Sequence, residues 1–309
     1  MFNKLYREEG GQSLILVALA LLAMLALVAL VLDGGNAYAQ RRRVQNAADA
    51  GAVAGARELA LGGTDGQIYA KIDEYTRIRN GATSFEAVYI PGGELVGGGA
   101  VPSDASGVRV EAVITFPTFF AGVIGLAELT ASTRSGASYG AVAEMSQGVY
   151  PIGANWQNYD YGQTYDIWHH EQGGPGNFGW LSWWGCNSVP CLRTSLTPPG
   201  NSEEYVNPHD PDDHILSIGD WVEGMPGVKG GAWGKLDDLI GVPITIIIWD
   251  ETEGQGANLN YHIAGFAEFV LEGYDRPKKI TGRFIRWVVP TTDIHFGTSY
   301  GAYGVRLVE

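Results

Sequence analysis

Residues 14–32 read LILVALALLAMLALVALVL and decide how this chain is built. All nineteen are uncharged and nearly all are apolar. As a helix rising about 1.5 Å per residue they reach roughly 28 Å, the hydrocarbon thickness of a bilayer. The helical pattern continues past Asp33 and through Arg41, Arg42 and Arg43 into VQNAADAGAVAGARELA at 44–60. Ala47, Gly51 and Gly55 recur every fourth residue, as do Ala48, Ala52 and Ala56. Residues at that spacing share a helical face, and small ones let a second backbone come close. Interior glycines cost about 1 kcal/mol each relative to alanine, so propensity alone does not account for them. The pattern predicts one helix from about 12 to 59, unbroken at Gly34 and Gly35. Its first half is an anchor and its second half seats against other helices.

Three readings fit the apolar stretch: a permanent membrane anchor, a cleaved signal peptide, or the core of a polymer. An A-x-A site at Ala37, Tyr38 and Ala39 fits the second. Against it, the apolar run exceeds the usual signal-peptide core, and Lys4 and Arg7 are offset by Glu8 and Glu9. Orientation cues conflict. The three arginines after the span favour a cytoplasmic C-terminal side. The cysteine pair and the acidic, Trp-rich C-terminal half favour an extracytoplasmic one, and long domains translocate despite flanking charge. The second set carries more weight here. Asp33, at the edge of the apolar run, is expected to pair with Arg41, Arg42 or Arg43 of a neighbouring chain, or with a subunit's terminal amine.

Net charge is −14 over 309 residues, and it is unevenly spread. Residues 1–60 carry six Lys/Arg against five Asp/Glu, whereas 146–309 carry nine against twenty. Without a basic footprint, nucleic acid is excluded as a partner class. The two cysteines, Cys186 and Cys191 in CNSVPC, are too far apart for a CxxC redox motif and lack a second pair for zinc. They are expected to form one local disulfide.

Beyond the helix, 67–80 has helical apolar spacing, with Gly81 as its stop. Strands are expected at 85–90 and 108–116, a strand or hairpin at 129–143, and a short helix at 118–125. From 149 onward, candidate strands at 163–168, 179–184, 214–222, 243–250, 261–274 and 279–289 are separated by Gly, Pro, Asn and Asp. The fold class is α+β. Its expected parts are a membrane-spanning, pilin-like helix (1–60), a small α+β domain (61–146) and a C-terminal all-β, sandwich-like domain (147–309).

No set of residues converges on catalysis. GASYG at 136–140 and GTSYG at 297–301 match G-x-S-x-G, but no helical pattern follows either, as a nucleophile elbow requires. With 44 glycines, chance explains both. Asp210, Asp212 and Asp213, in NPHDPDDH, are weak calcium candidates whose spacing departs from an EF-hand loop. His169, His170 and Glu171 read as a polar loop. All nine tryptophans lie beyond residue 150. Trp183 and Trp184 are adjacent, so in a strand they face opposite ways and one is a candidate surface for glycans or a partner. No cofactor is expected.

Several segments resemble the TadE/TadG-like proteins of Flp (Tad) pilus assembly. They are EGGQS at 9–13, LDGGNAY at 32–38, RRRVQNAADA at 41–50 and AGAR at 54–57. FPTFFA at 116–121, Ile124-Gly125 and AVA at 141–143 extend the likeness, and NFGWL at 177–181 resembles the extra C-terminal domain of some TadG-like proteins. One departure stands out. Processed subunits of the TadE kind carry a Glu five residues after a Gly cleavage point, where this chain has Ile15 or Leu16. The resemblance implies a non-catalytic structural component of a surface pilus, either a filament subunit or a membrane-anchored assembly protein. Its partners would be the membrane and itself or other pilin-like subunits. A membrane-anchored glycan-binding adhesin with a Trp-rich β domain is the alternative.

Overall fold

The computed structural model describes residues 10–168, 177–276, 279–289, 291 and 293–308. Helix α1 (Gly10–Ala60) is unbroken across Gly34 and Gly35, as the pattern requires. Helix α2 (Asp65–Asp73) starts at a capping box: Thr64 accepts from the Gln67 N–H, and Gln67 accepts from the Thr64 N–H at 2.8 Å. A π-helical turn, Glu74–Ile78, extends it. Then come β1 (Ser84–Ile90), β2 (Gly107–Pro117) and β3 (Glu128–Met145), paired antiparallel in that order.

The alternation of β2 sends Val108, Val110, Ala112 and Ile114 inward, where they are buried beneath α1. On the helix, the matching buried stripe is Val44, Ala47, Ala48, Ala52 and Ala56, with Gly51 and Gly55. A Cβ added at Gly55 would sit 2.7 Å from Ile72 of α2 and 2.8 Å from Val108. One added at Gly51 would lie 2.1 Å from the Thr76 hydroxyl. This corrects the expected use of the small-residue face. The chain's own short helix and sheet occupy it, leaving no room for a helix of another subunit there.

The remaining elements are β4 (Val149–Asn155), β5 (Thr164–Asp166), β6 (Asn177–Ser182), α3 (Val189–Ser195), β7 (Leu216–Ser217), β8 (Trp221–Pro226), β9 (Pro243–Glu253), β10 (Asn260–Asp275), β11 (Lys279–Ile285), β12 (Trp287–Val288), β13 (Asp293–His295) and β14 (Ala302–Leu307). Most form a second sheet, β5-β11-β10-β8-β6-β4-β9, in which β9 also pairs with β10 and closes a ring. The first sheet is completed from the far end of the chain, because β14 and β13 pair with β3 and β12 pairs with β14. Hydrogen bonding therefore crosses residue 146.

Strand β9 shows why the second sheet is buried on both sides. Ile244, Ile246 and Ile248 enter one core beside Trp168, Trp180 and Trp233, while Ile247 and Trp249 enter another with Val142 and Met145 of β3. The three indoles of the first core meet edge to face, with centroids 4.6 to 6.0 Å apart. Cys186 and Cys191 form the expected disulfide.

Two measurements test this packing. Gly55→Leu forces a branched side chain between Ile72 and Val108, so unfolding of the full chain in detergent should show a loss of about 3 kcal/mol or more. Gly34→Ala, where nothing lies within 4 Å, should be tolerated. Glu268 is 2 % exposed on β10, and burial pushes its carboxyl up from 4.5 to about 7, opposed by the bond donated by the Thr245 hydroxyl. The folded state thus holds a proton that the unfolded chain releases. Stability should fall as pH rises between those two values, by on the order of 3 kcal/mol in all. Glu268→Gln should remove that slope, leaving stability little changed near about pH 4 and higher than wild type near about pH 8.

Candidate functional site

Helix α1 changes its surroundings within one turn. From 14 to 32 its large apolar side chains are exposed, Leu30 and Val31 each by 70 %. From Asp33 onward one stripe is buried against the first sheet. Asp33 itself is 8 % exposed and marks the boundary. Its carboxylate accepts backbone N–H bonds from Phe119 at 2.6 Å, Phe120 at 3.1 Å and Ala121 at 2.7 Å. One turn on, Asn36 Nδ2 donates to the Pro117 carbonyl at 3.4 Å. The β2–β3 loop is thereby tied to α1 where the apolar run ends.

Within the chain, Asp33 is held by backbone amides rather than by a side-chain cation. Its partners are amides of a turn leading into the 3-10 helix Ala121–Ile124, and bonds to an ionised acceptor are stronger than neutral ones. Arg43 instead donates to the Asn80 carbonyl at 2.9 Å, while Arg41 and Arg42 are exposed. A second carboxylate does the same work at the opposite end of the first sheet. Asp65 accepts from the Tyr89 hydroxyl at 2.7 Å and from the N–H groups of Gly97 and Gly99 at 2.8 and 2.7 Å. It holds the β1–β2 loop.

The other candidates fall elsewhere. Trp183 is buried, its Nε1–H donating to the Gly200 carbonyl at 3.0 Å, and Trp184 is half-buried against the same core. Trp183 therefore offers no stacking face, and the exposed indoles are Trp156 and Trp287. Asp210 and Asp213 shape a turn, Asp210 accepting from the Asp212 N–H at 3.2 Å and Asp213 from Asn207 Nδ2 at 3.0 Å. Among the described residues no group of three His, Cys, Asp or Glu side chains gathers to hold a metal. His209, in the same loop, pairs with Glu253 and lies against Trp221. Ser138 of GASYG lies within β3, opposite Gly107 and Arg306, without the turn and helix of a nucleophile elbow. His169, His170 and Glu171 lie outside the described residues.

What the reading of the sequence missed is the β2–β3 loop as part of the site. The signal present was PTFFAGVIGLA at 117–127, a second uncharged apolar run.

Known proteins meet this chain at the helix that carries the loop. Residues 11–58 match the family model described as "Putative Flp pilus-assembly TadE/G-like". The matched TadE/G-like segment covers both the exposed and the packed half of α1 and stops short of both sheets. No curated protein and no solved structure matches the chain. The match supports a role related to the Tad pilus. Together with a helix long and apolar enough to cross a membrane, Ser13–Ala60 at mean hydropathy 3.2 in its most apolar window, it suggests membrane anchoring or pilus association.

If Asp33 is the tie between loop and helix, Asp33→Ala should speed hydrogen exchange at the Phe119, Phe120 and Ala121 amides by roughly tenfold or more. Asp33→Asn, which keeps one acceptor oxygen, should do less. Amides of β9 serve as the unaffected reference.

Proposed function

We propose that this protein is a membrane-anchored structural component of a Tad-type pilus system. It is held by residues 14–32, with both sheets on the extracytoplasmic side. One observation carries the reading: a single unbroken helix presents a bare apolar half and a half packed on its own sheet, the division falling at Asp33. An apolar surface of that length needs hydrocarbon or other apolar helices around it. The small-residue stripe of the packed half is already covered, so the bare half is the apolar surface that α1 offers to anything outside the chain.

The TadE/G-like match of the same helix supports placing the protein in pilus assembly. The disulfide supports an oxidising compartment for the sheets. Ile15 and Leu16, standing where a processed subunit carries Glu, support an anchored assembly component over a filament subunit. The role is non-catalytic: the helix inserts, its small-residue face orients the body, and the body is displayed to other pilus proteins.

Alkaline extraction of membranes followed by negative-stain imaging of the purified chain tests this. The protein should stay with the membrane pellet, a Leu22→Arg Leu25→Glu variant should leave it, and the purified protein should appear as single particles. Regular filaments would move the assignment to a filament subunit, and extraction of the wild-type chain by alkali would defeat anchoring.

A further inference from the structure

Outside α1, the β2–β3 loop gathers several exposed apolar side chains within eight residues. Phe119 is 69 % exposed, Val123 90 %, Ile124 78 % and Leu126 52 %. No charge occurs between Pro117 and Ala127. Clusters of this kind on a soluble surface mark an interaction site.

The position of the loop is set by two matched descents. Val110 lies against Gly51, and Pro117 against Asn36. Seven strand residues cover about 24 Å and fifteen helical residues about 22 Å, so β2 runs down α1 in step with it toward the apolar end. The loop emerges beyond Asn36, and Asp33 pins it at the level where the span begins.

Its backbone is also prepared for a dry environment. Asp33 takes the N–H groups of Phe119, Phe120 and Ala121. The N–H groups of Val123, Gly125 and Leu126 go to the carbonyls of Phe120, Gly122 and Ala121, and the Thr118 hydroxyl donates to the Leu126 carbonyl at 2.6 Å. Backbone that enters lipid must be satisfied within the protein.

We infer that the β2–β3 loop is a second membrane contact, with Phe119, Val123, Ile124 and Leu126 seated in the headgroup–acyl boundary of the leaflet from which α1 emerges. Its occupant is the lipid bilayer. Interfacial elements bury their apolar side to about 5–10 Å, and aromatic residues gather at that depth. The consequence is orientational. A single helix leaves the body free to swing and to rotate about its axis. A loop held in the interface restrains the tilt of α1 and presents the sheets at a fixed inclination to the membrane. The inference rests on residues 14–32 spanning a bilayer.

The test uses the full chain in phosphatidylcholine vesicles, with a polarity-sensitive dye on single added cysteines and the Cys186–Cys191 disulfide left intact. The positions are Val123→Cys in the loop, Leu25→Cys at mid-span and Glu94→Cys at the far end of the first sheet. Acyl chains brominated either near the headgroup or near the terminal methyl serve as quenchers. The Val123 label should be quenched more by the shallow bromine and the Leu25 label more by the deep one, with the Glu94 label untouched. A quenched Leu25 label beside an unquenched Val123 label overturns the inference and leaves the anchor standing. A Val123 label with blue-shifted emission but no bromine quenching means that protein, such as a second copy, covers the loop, and also overturns it. No quenching at Leu25 removes the anchor and the inference with it.

Discussion

Close approach between α1 and the first sheet is the constraint on which the rest of the molecule depends. Gly51 and Gly55 have no Cβ because Thr76, Ile72 and Val108 already fill that space. With the alanines beside them they make a shallow face on which α2, its π-helical turn and β2 all rest. An unbroken helix that rests on a sheet along its second half carries its first half away from that sheet. The direction of the bare apolar half relative to the body is therefore fixed by packing inside the body. The glycines weaken the helix intrinsically, and the buried contacts offset that cost.

Two carboxylates complete the arrangement at its ends. Asp33 takes three backbone N–H groups of the β2–β3 loop, and Asp65 takes two of the β1–β2 loop together with the Tyr89 hydroxyl of β1. In both cases the donors include neighbouring or near-neighbouring amides that the β-ladder leaves unused. A loop with unpaired N–H groups must find acceptors or meet water. Here each loop finds them on the helical layer, so helix and sheet are joined by directional bonds at both ends and by apolar burial between. Cross-links of opposite character resist different motions: burial resists separation, and the carboxylate bonds resist sliding along the helix axis.

The C-terminal region is bound into the same body rather than appended to it. Strand β14 extends the first sheet through β3, while β3 lends Val142 and Met145 to a core shared with the second sheet. Strand β9 supplies alternate faces to two cores. Forces on the second sheet therefore reach α1 through β3. This continuity holds the second sheet in a fixed position on α1, and the tryptophans serve it as core residues, with Trp168, Trp180 and Trp233 interlocked below the surface.

Residues 14–32 alone determine that one helix is bare and apolar, because a period-independent apolar run has no polar side to turn to water. The alternation in β2 and the short CNSVPC loop were equally legible, since each depends on neighbours in sequence. Helix α3, and strand β14 in particular, were not. AYGVRL carries little period of its own and is a strand because β3 offers an edge from far away in the chain. The small-residue face was readable as a packing surface, but spacing does not name the partner, and the tertiary structure supplied the chain's own sheet. Asp33 stood out as a charge beside an apolar run, which suggests a cation. Its actual partners are backbone amides 86 to 88 residues away. Every residue but proline carries that donor, so no side-chain pattern announces it, and only the folded path of β2 brings it to the end of the span.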